Sequence, residues 1–259
     1  MGYRTCSGVI FFFIIMLLLK VIAHARNGFA EKFGVPRQSG RTPAVVTRIV
    51  FVPEYRVAES LRGIDAYSHL WLLWGFSANM QDNSSLESSP SGTFSSSESW
   101  SPTVRPPRLG GNKRMGVFAT RSPFRPNPIG LSSVRLLEVK KTAEEGIVLM
   151  VEGADLMDGT PIYDIKPYLP YTDCHAEATG GFAEEHKDYA LRVDFPAALR
   201  EGIPQSVVEE LTQILSDDPR PANHHDRDRV YGLQYGGYAL HFQVEGETLC
   251  VVDVKEHQR

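Results

Sequence analysis

A run of basic side chains without an acidic counterpart is the feature of this sequence best suited to binding an anion. Between Ser101 and Leu137 there is no Asp or Glu, although the whole chain has a net charge of −4. Arginine carries a rigid, planar set of donors that suits phosphate groups. The segment therefore predicts a phosphate-binding surface, and the alternative is an ordinary solvated basic loop. Its seven cations are Arg105, Arg108, Lys113, Arg114, Arg121, Arg125 and Arg135.

The same segment holds an asparagine between two prolines, in the order Pro126, Asn127, Pro128. An exocyclic adenine amine is a poor nucleophile because its lone pair is delocalised into the ring. A side-chain carbonyl at a fixed place could accept a hydrogen bond from the amine and hold the nitrogen in line with an electrophile. Asn127 is therefore a candidate catalytic residue, and the alternative is the turn that an Asn-Pro pair commonly forms.

A second candidate binding segment, DLMDGTPIYDIKPYLPYTD, combines carboxylates and tyrosines with Lys166. Such side chains could stack on an unpaired base and hydrogen-bond to it. The alternative is that Asp158-Gly159 simply forms a turn. Upstream, His69 has apolar neighbours, so we predict a core histidine rather than a general base.

Cysteine and histidine usage limits the classes of site. Cys6, Cys174 and Cys250 are widely spaced and odd in number, which excludes a disulfide framework and favours a reducing compartment. The pair His224-His225 lacks the ligand spacing of a zinc site, so no metal is predicted. The small net charge argues against nonspecific binding of nucleic acid by the whole surface.

The N-terminus has its own pattern. Val9–Leu19 is an apolar run of eleven residues, preceded by Arg4 and followed by Ala23-His24-Ala25. This order is typical of a signal peptide, and the run is too short for a membrane span, which needs about 20 residues. The alternatives are an organelle-targeting leader and an extension that runs into a first strand.

Strands and turns dominate the elements that must position these residues. The β-branched run 44–52 predicts a strand, and the apolar run 67–76 predicts one that is buried on both faces. Apolar spacing over 57–64 predicts a short helix, and a turn is predicted at 144–146 between two further strands. The Ser-rich stretch 82–98 predicts a flexible loop insertion.

The sequence changes character after Gly180-Gly181. Residues 204–218 have helical periodicity, with Val207, Val208, Leu211 and Leu215 on one face. Residues 237–254 predict a hairpin. These patterns indicate a β-barrel or sandwich followed by a small α+β domain.

Several unusual blocks lie along the chain in one order: EKFGVPRQSG, YSHLWLLW, WSPTVRPPRLGGNKRMGVFATRSPFRPNPIG, DLMDGTPIYDIKPYLPY and DPRPA. Together they closely resemble the TrmO family of tRNA adenine-N6 methyltransferases. The resemblance covers residues 21–169 apart from the Ser-rich insertion, and DPRPA is its main anchor beyond them. It implies a mainly β fold with a single-sheeted β-barrel methyltransferase domain. It also implies methyl transfer from S-adenosylmethionine to N6 of threonylcarbamoyladenosine beside the anticodon of threonine tRNA, by a homodimer.

The resemblance further implies domains, site residues and a location. The domains are an N-terminal leader or extension (1–20), the barrel (21–180, with an insertion at 82–99) and a small α+β domain (181–259). The compartment is cytoplasmic or organellar, because cleavage after Ala25 would remove the family's first strand, at 19–25. The cofactor pocket comprises Pro36, Arg37, Gln38, Ser77, Ala78, Arg121, Leu131, Glu152, Gly153, Ala154 and Asp155. We assign binding of the tRNA anticodon stem-loop to Arg105, Arg108, Lys113, Arg125, Lys166 and Tyr168.

Two alternatives to the enzyme stay open. At Ser77-Ala78 the family often has a polar His-Gln-like pair, and with the Ser-rich insertion this departure suggests a non-catalytic RNA-binding barrel. The apolar N-terminus alone suggests a secreted interaction protein.

Overall fold

Twelve strands and three α-helices follow one another in a computed structural model that describes residues 18–76, 100–106, 113–221 and 226–257. Ser77, Ala78, Arg108, most of the N-terminal leader and the insertion at 82–99 lie outside the described residues. The strands are β1 Ala23–Arg26, β2 Val46–Phe51, β3 His69–Gly75, β4 Thr103–Val104, β5 Met115–Gly116, β6 Ile129–Thr142, β7 Gly146–Glu152, β8 Pro161–Pro167, β9 Arg192–Asp194, β10 Tyr231–Tyr235, β11 Tyr238–Glu245 and β12 Thr248–Glu256. The helices are α1 Pro170–Asp173, α2 Ala197–Arg200 and α3 Gln205–Ser216.

Six antiparallel strands form a closed barrel in the order β1-β2-β7-β6-β3-β8, because β8 pairs back onto β1. The mainly β class is therefore confirmed. In β3, Leu70 and Leu72 are buried, whereas Trp71 is partly exposed and His69 is exposed. The predictions of a strand buried on both faces and of a core histidine were wrong. Successive side chains of a strand point to opposite faces, and only one face of β3 lines the core.

The short strand β1 completes the barrel. Ala23 pairs with Phe51 on β2 and with Ile162 on β8, and Ala23 and Ala25 are fully buried. A strand was predicted at 19–25, and β1 occupies Ala23–Arg26. Loss of the chain through Ala25 would leave β2 and β8 without this partner, so closure depends on keeping these residues.

The loops that carry most of the predicted site residues lie at one end of the barrel. Strands β1, β3 and β7 end there, and β2, β6 and β8 begin there, as the pairs Val46–Glu152, Gly75–Ile129 and His24–Pro161 show. We call this end the mouth. Loops 27–45 and 153–160 and the basic segment before β6 all lie at it.

A second sheet follows, in the order β10-β11-β12-β9. The predicted helix is α3, whose buried residues Val208, Leu211, Ile214 and Leu215 pack against this sheet. The predicted hairpin is β11 and β12. Phe29 and Val45 from the loop after β1 belong to the same core cluster, so this loop packs against the C-terminal sheet.

Two further features concern local structure and membranes. The helix predicted at 57–64 is replaced by short 3₁₀ turns at Pro53–Tyr55, Ala58–Leu61 and Ile64–Ala66. Among the residues described, no helix has the length and apolar character needed to cross a membrane.

Candidate active site

The loop between β1 and β2 crosses the mouth and contacts two other predicted cofactor segments. Arg121 Nη1 donates to Gln38 Oε1 at 2.7 Å. The Gly40 amide donates to the Gly153 carbonyl at 2.8 Å. A Cβ on Gly153, whose φ is 72°, would lie 3.1 Å from the Gly40 Cα. Two glycines therefore permit the close approach of the two backbones.

A carboxylate is held inside the mouth by a short chain of donors. Ser132 Oγ donates to Asp155 Oδ1 at 2.5 Å, and Trp74 Nε1 donates to the same hydroxyl at 2.9 Å. Burial raises the pKa of Asp155, while hydrogen bonds from Ser132 and the Ser39 backbone and the charge of Arg121 partly oppose this rise. A cation bound here would favour the charged carboxylate.

Residues between α3 and β10 also bond to the loop between β1 and β2. Arg37 Nη2 donates to the Arg220 carbonyl at 2.7 Å, and Arg41 Nε pairs with Asp217 Oδ1 at 2.7 Å. Arg220 in turn pairs with Asp218 at 2.8 Å. Asp218 and Arg220 belong to the DPRPA block, so this block fixes the loop that carries Pro36, which is buried, and Gln38.

The basic segment folds into a small ribbon before it enters the barrel. Strands β4 and β5 pair at Thr103–Gly116 and Val104–Met115. Arg105 and Lys113 are exposed, whereas Arg125 Nη1 donates to the carbonyls of Thr120 and Ser122 at 3.1 and 3.3 Å. Arg125 thus braces its own loop as well as adding charge.

Asn127 lies where this segment turns into β6. The backbone carbonyl of Asn127 accepts a hydrogen bond from the Ile129 amide at 2.7 Å, and the Pro128 carbonyl accepts one from the Phe76 amide at 3.1 Å. The backbone therefore forms a turn, and the Asn127 side chain is exposed. The geometry combines the predicted turn with a side chain that is open to a ligand.

Known protein families match both the barrel and the C-terminal part of this chain. The model of the tRNA-methyltransferase O N-terminal domain matches residues 24–174, and that of the TrmO C-terminal domain matches residues 188–257. The chain belongs to the TrmO family. The resemblance drawn from the sequence blocks is confirmed.

Individual members of the TrmO family match between 76% and 93% of the chain. The Escherichia coli tRNA (adenine(37)-N6)-methyltransferase is 40% identical over 76% of this chain and 79% of its own. A Pseudomonas aeruginosa relative with "S-adenosylmethionine-dependent methyltransferase" in its name is 37% identical over 90% of this chain and 95% of its own. A crystal structure of TrmO from Pseudomonas aeruginosa has a TM-score of 0.67 at 30% identity, covering 93% of this chain and 100% of that one.

Three predicted site residues, Leu131 from the family resemblance and Lys166 and Tyr168 from their charge and position, lie on the outer face of the barrel. Leu131 is exposed and, with Trp71, Leu73 and Lys166, lines an open cleft of about 370 Å³. Lys166 pairs with Asp164 at 2.8 Å. Because Ser132 points inward to Asp155, its neighbour Leu131 must point outward. Tyr168 stacks at a tilt on Trp71, with ring centroids 5.5 Å apart.

The four residues predicted from Glu152 to Asp155 also lie in different surroundings. Glu152 pairs with Arg135 at 3.2 Å, and Ala154 is buried in the barrel core. Gly153 and Asp155 both accept hydrogen bonds from the loop that carries Gln38, from the Gly40 amide and the Ser39 backbone respectively. The cofactor contacts assigned to Glu152 and Ala154 stay predictions.

Sequence reasoning missed Trp74, Ser132, Arg41 and Asp217. The sequence could have indicated Ser132, because a hydroxyl at an inward-facing position of a strand needs a hydrogen-bond partner. The Arg41–Asp217 pair joins residues that are far apart in the sequence, and no local pattern indicates it.

Proposed function

We propose that this chain is an S-adenosylmethionine-dependent methyltransferase that modifies N6 of adenine 37 in tRNA. One observation carries the proposal: Gln38, Arg121 and Asp155, from three distant segments, meet at the mouth beside a basic segment. The names of the relatives agree with this activity.

The groups at the mouth fit the chemistry of this cofactor. S-adenosylmethionine carries a carboxylate, an ammonium group and a sulfonium centre, and it supplies a methyl group that is already activated for transfer. Arg121 and Gln38 provide donors for an anion or a base, and Asp155 provides a carboxylate for a cationic centre. Arg37, Pro36 and Gly153 shape the surrounding backbone.

On the substrate side, Arg105 and Lys113 are placed to contact phosphates of the anticodon stem-loop. Asn127 would accept a hydrogen bond from N6–H and so hold that nitrogen in line with the methyl group, and the N6 proton would leave to solvent on transfer. We further propose threonylcarbamoyladenosine in threonine tRNA as the substrate and a cytoplasmic or organellar location. The proposed domains are the barrel at 21–180 and the α+β unit at 181–259.

A homodimer is part of the proposal. Ile129, Leu131 and Leu137 on β6 are exposed apolar side chains, and such side chains are typical of surfaces that associate. Light scattering of the wild type and of Leu131→Asp would test this contact. The aspartate should shift a dimer to a monomer, and an unchanged mass would exclude this face.

Methyl transfer tests the activity directly. The protein is incubated with methyl-labelled S-adenosylmethionine and threonine tRNA, with or without the threonylcarbamoyl group at adenosine 37, and the nucleosides are resolved by mass spectrometry. Label at N6 of adenosine 37 supports the proposal, and the two tRNAs determine whether the modification is required. Tight tRNA binding without transfer would instead support the non-catalytic RNA-binding barrel.

A further inference from the structure

Three large aromatic side chains are exposed in the basic segment or directly before it. Trp100 is 40% exposed, Phe124 49% and Phe118 74%. A single exposed aromatic residue is ordinary, but several on one short segment mark a surface that meets a partner.

The local fold holds these rings outward. Val117 is buried, and its amide donates to the Pro102 carbonyl at 3.0 Å, so it anchors the 3₁₀ turn Val117–Ala119 to the ribbon. The next residue, Phe118, therefore stands away from the core. The Ser101 amide donates to the Phe124 carbonyl at 3.2 Å, which places the neighbouring Trp100 in the same small unit.

The stretches that carry the three rings are rich in positive charge. Residues 100–106 and 113–128 contain no Asp or Glu. Neutral partners orient three of the cations: Thr103 accepts from Arg114 Nε at 2.7 Å, Gln38 accepts from Arg121, and backbone carbonyls accept from Arg125. The five cations of these ranges are Arg105, Lys113, Arg114, Arg121 and Arg125.

This combination selects one class of partner. Arginine and aromatic side chains also occur together at protein–protein interfaces. The discriminating feature here is that the described ranges contain no acidic residue, which leaves a net positive surface that favours a polyanion. Proteins that bind single-stranded nucleic acid combine a positive surface along the backbone with aromatic rings on which bases stack. An RNA loop with unpaired bases meets both requirements.

We propose that Trp100, Phe118 and Phe124 form a stacking platform for unpaired bases of an RNA loop, while the neighbouring cations contact its phosphates. The platform rests on the proposed function in taking tRNA as the ligand. It adds that the protein distinguishes an open loop from a paired stem through ring stacking, separately from its recognition of charge.

The test compares two RNA probes and a graded set of variants. The probes are an anticodon stem-loop and a fully paired duplex of equal charge. Phe118→Ala and Phe124→Ala should each weaken binding of the stem-loop about fivefold or more and leave the duplex unaffected. Phe118→Trp should keep full affinity, and Phe118→Leu, which is apolar but has no π face, should behave as Phe118→Ala does.

Two further measurements separate stacking from charge. The salt dependence of stem-loop binding should keep its slope in the aromatic variants and become shallower in Arg105→Ala, because only the latter removes a phosphate contact. Stem-loop binding should quench tryptophan fluorescence in the wild type, and Trp100→Phe should remove most of this quenching. Thermal melts establish that each variant is folded.

Three results would overturn the platform: wild-type stem-loop affinity in both alanine variants, an equal loss for stem-loop and duplex, or a changed oligomeric state with unchanged RNA binding. The last would identify a self-association surface instead. Methyl transfer by the wild type is measured in parallel. Transfer with dispensable aromatics would refute the platform alone, whereas absence of both transfer and RNA binding in the wild type would refute the proposed function.

Discussion

Arg121 and Gln38, 83 residues apart, are joined by a hydrogen bond of 2.7 Å between the guanidinium group and the side-chain oxygen. This contact ties the basic segment to the loop after β1, and it lies at the mouth beside Asp155, whose pKa responds to the charge of Arg121. The proposed cofactor and RNA surfaces therefore share one side chain.

The first prediction concerns that shared side chain. Arg121→Ala should weaken S-adenosylmethionine binding about tenfold, because a hydrogen-bond donor with full charge is lost from a partly solvated site. Arg114→Ala is the matched control, since Arg114 lies on the same segment but bonds to Thr103. Titration calorimetry measures both. Equal affinity in the two variants would remove Arg121 from the pocket.

The second prediction concerns pH. Burial raises the folded-state pKa of Asp155 above its ordinary value of 3.8, so the folded protein binds this proton more readily than the unfolded chain does. Between the two pKa values, this carboxyl therefore lowers the stability of the fold as pH rises. Asp155→Asn should gain stability relative to the wild type as the pH rises above 3.8, as measured by urea unfolding at a series of pH values. A constant difference across this series would contradict the raised pKa.

The third prediction concerns the ion pair that joins the loop between β1 and β2 to the end of α3. Asp217 is only 7% exposed at its side chain and pairs with Arg41, so Arg41→Ala removes a cation from a buried carboxylate. The free energy of unfolding should fall by about 2 kcal/mol or more, and cofactor affinity should fall with it. Arg227→Ala, at an exposed ion pair with Glu245, is the control and should change stability by about 0.5 kcal/mol or less.

How far the sequence could predict this structure depends on how local each signal is. The helix α3 and the β11–β12 hairpin were predictable because their periodicities and turns lie within short windows. The single-sheeted barrel came from the family resemblance that the sequence blocks carry, since closure requires β1 and β8, which are distant in sequence, to pair.

The candidate site was predictable only in part for the same physical reason. The blocks around Gln38, Arg121 and Asp155 were identified, and the structure brings them together. Leu131 was assigned to the same pocket, but the alternation of β6 points it to the outer face. A block of matching residues does not specify which side of a strand each side chain occupies.

The fourth prediction tests the packing beneath Asp155. A Cβ on Gly130 would lie 2.2 Å from the Trp74 indole, the same ring that donates to Ser132. Gly130→Ala should therefore lower the free energy of unfolding by about 2 kcal/mol, because the ring has to move in a packed core. At Gly116 a Cβ would meet nothing within 4 Å, so Gly116→Ala is the control. Urea unfolding of the two variants should differ clearly, and similar stabilities would contradict the close packing.

The last prediction concerns the chemical step. If the exposed Asn127 side chain holds the N6 nitrogen in line, its contribution appears in the transition state, and Asn127→Ala should lower kcat about 100-fold with little change in KM. If Asn127 serves only the turn formed with Ile129, the variant should lose stability and keep its rate per folded molecule. Single-turnover transfer at saturating cofactor and tRNA, corrected for the folded fraction, separates the two. A rate equal to that of the wild type would restrict Asn127 to the turn, and alignment of cofactor and base by Arg121, Gln38 and Asp155 would then have to account for catalysis.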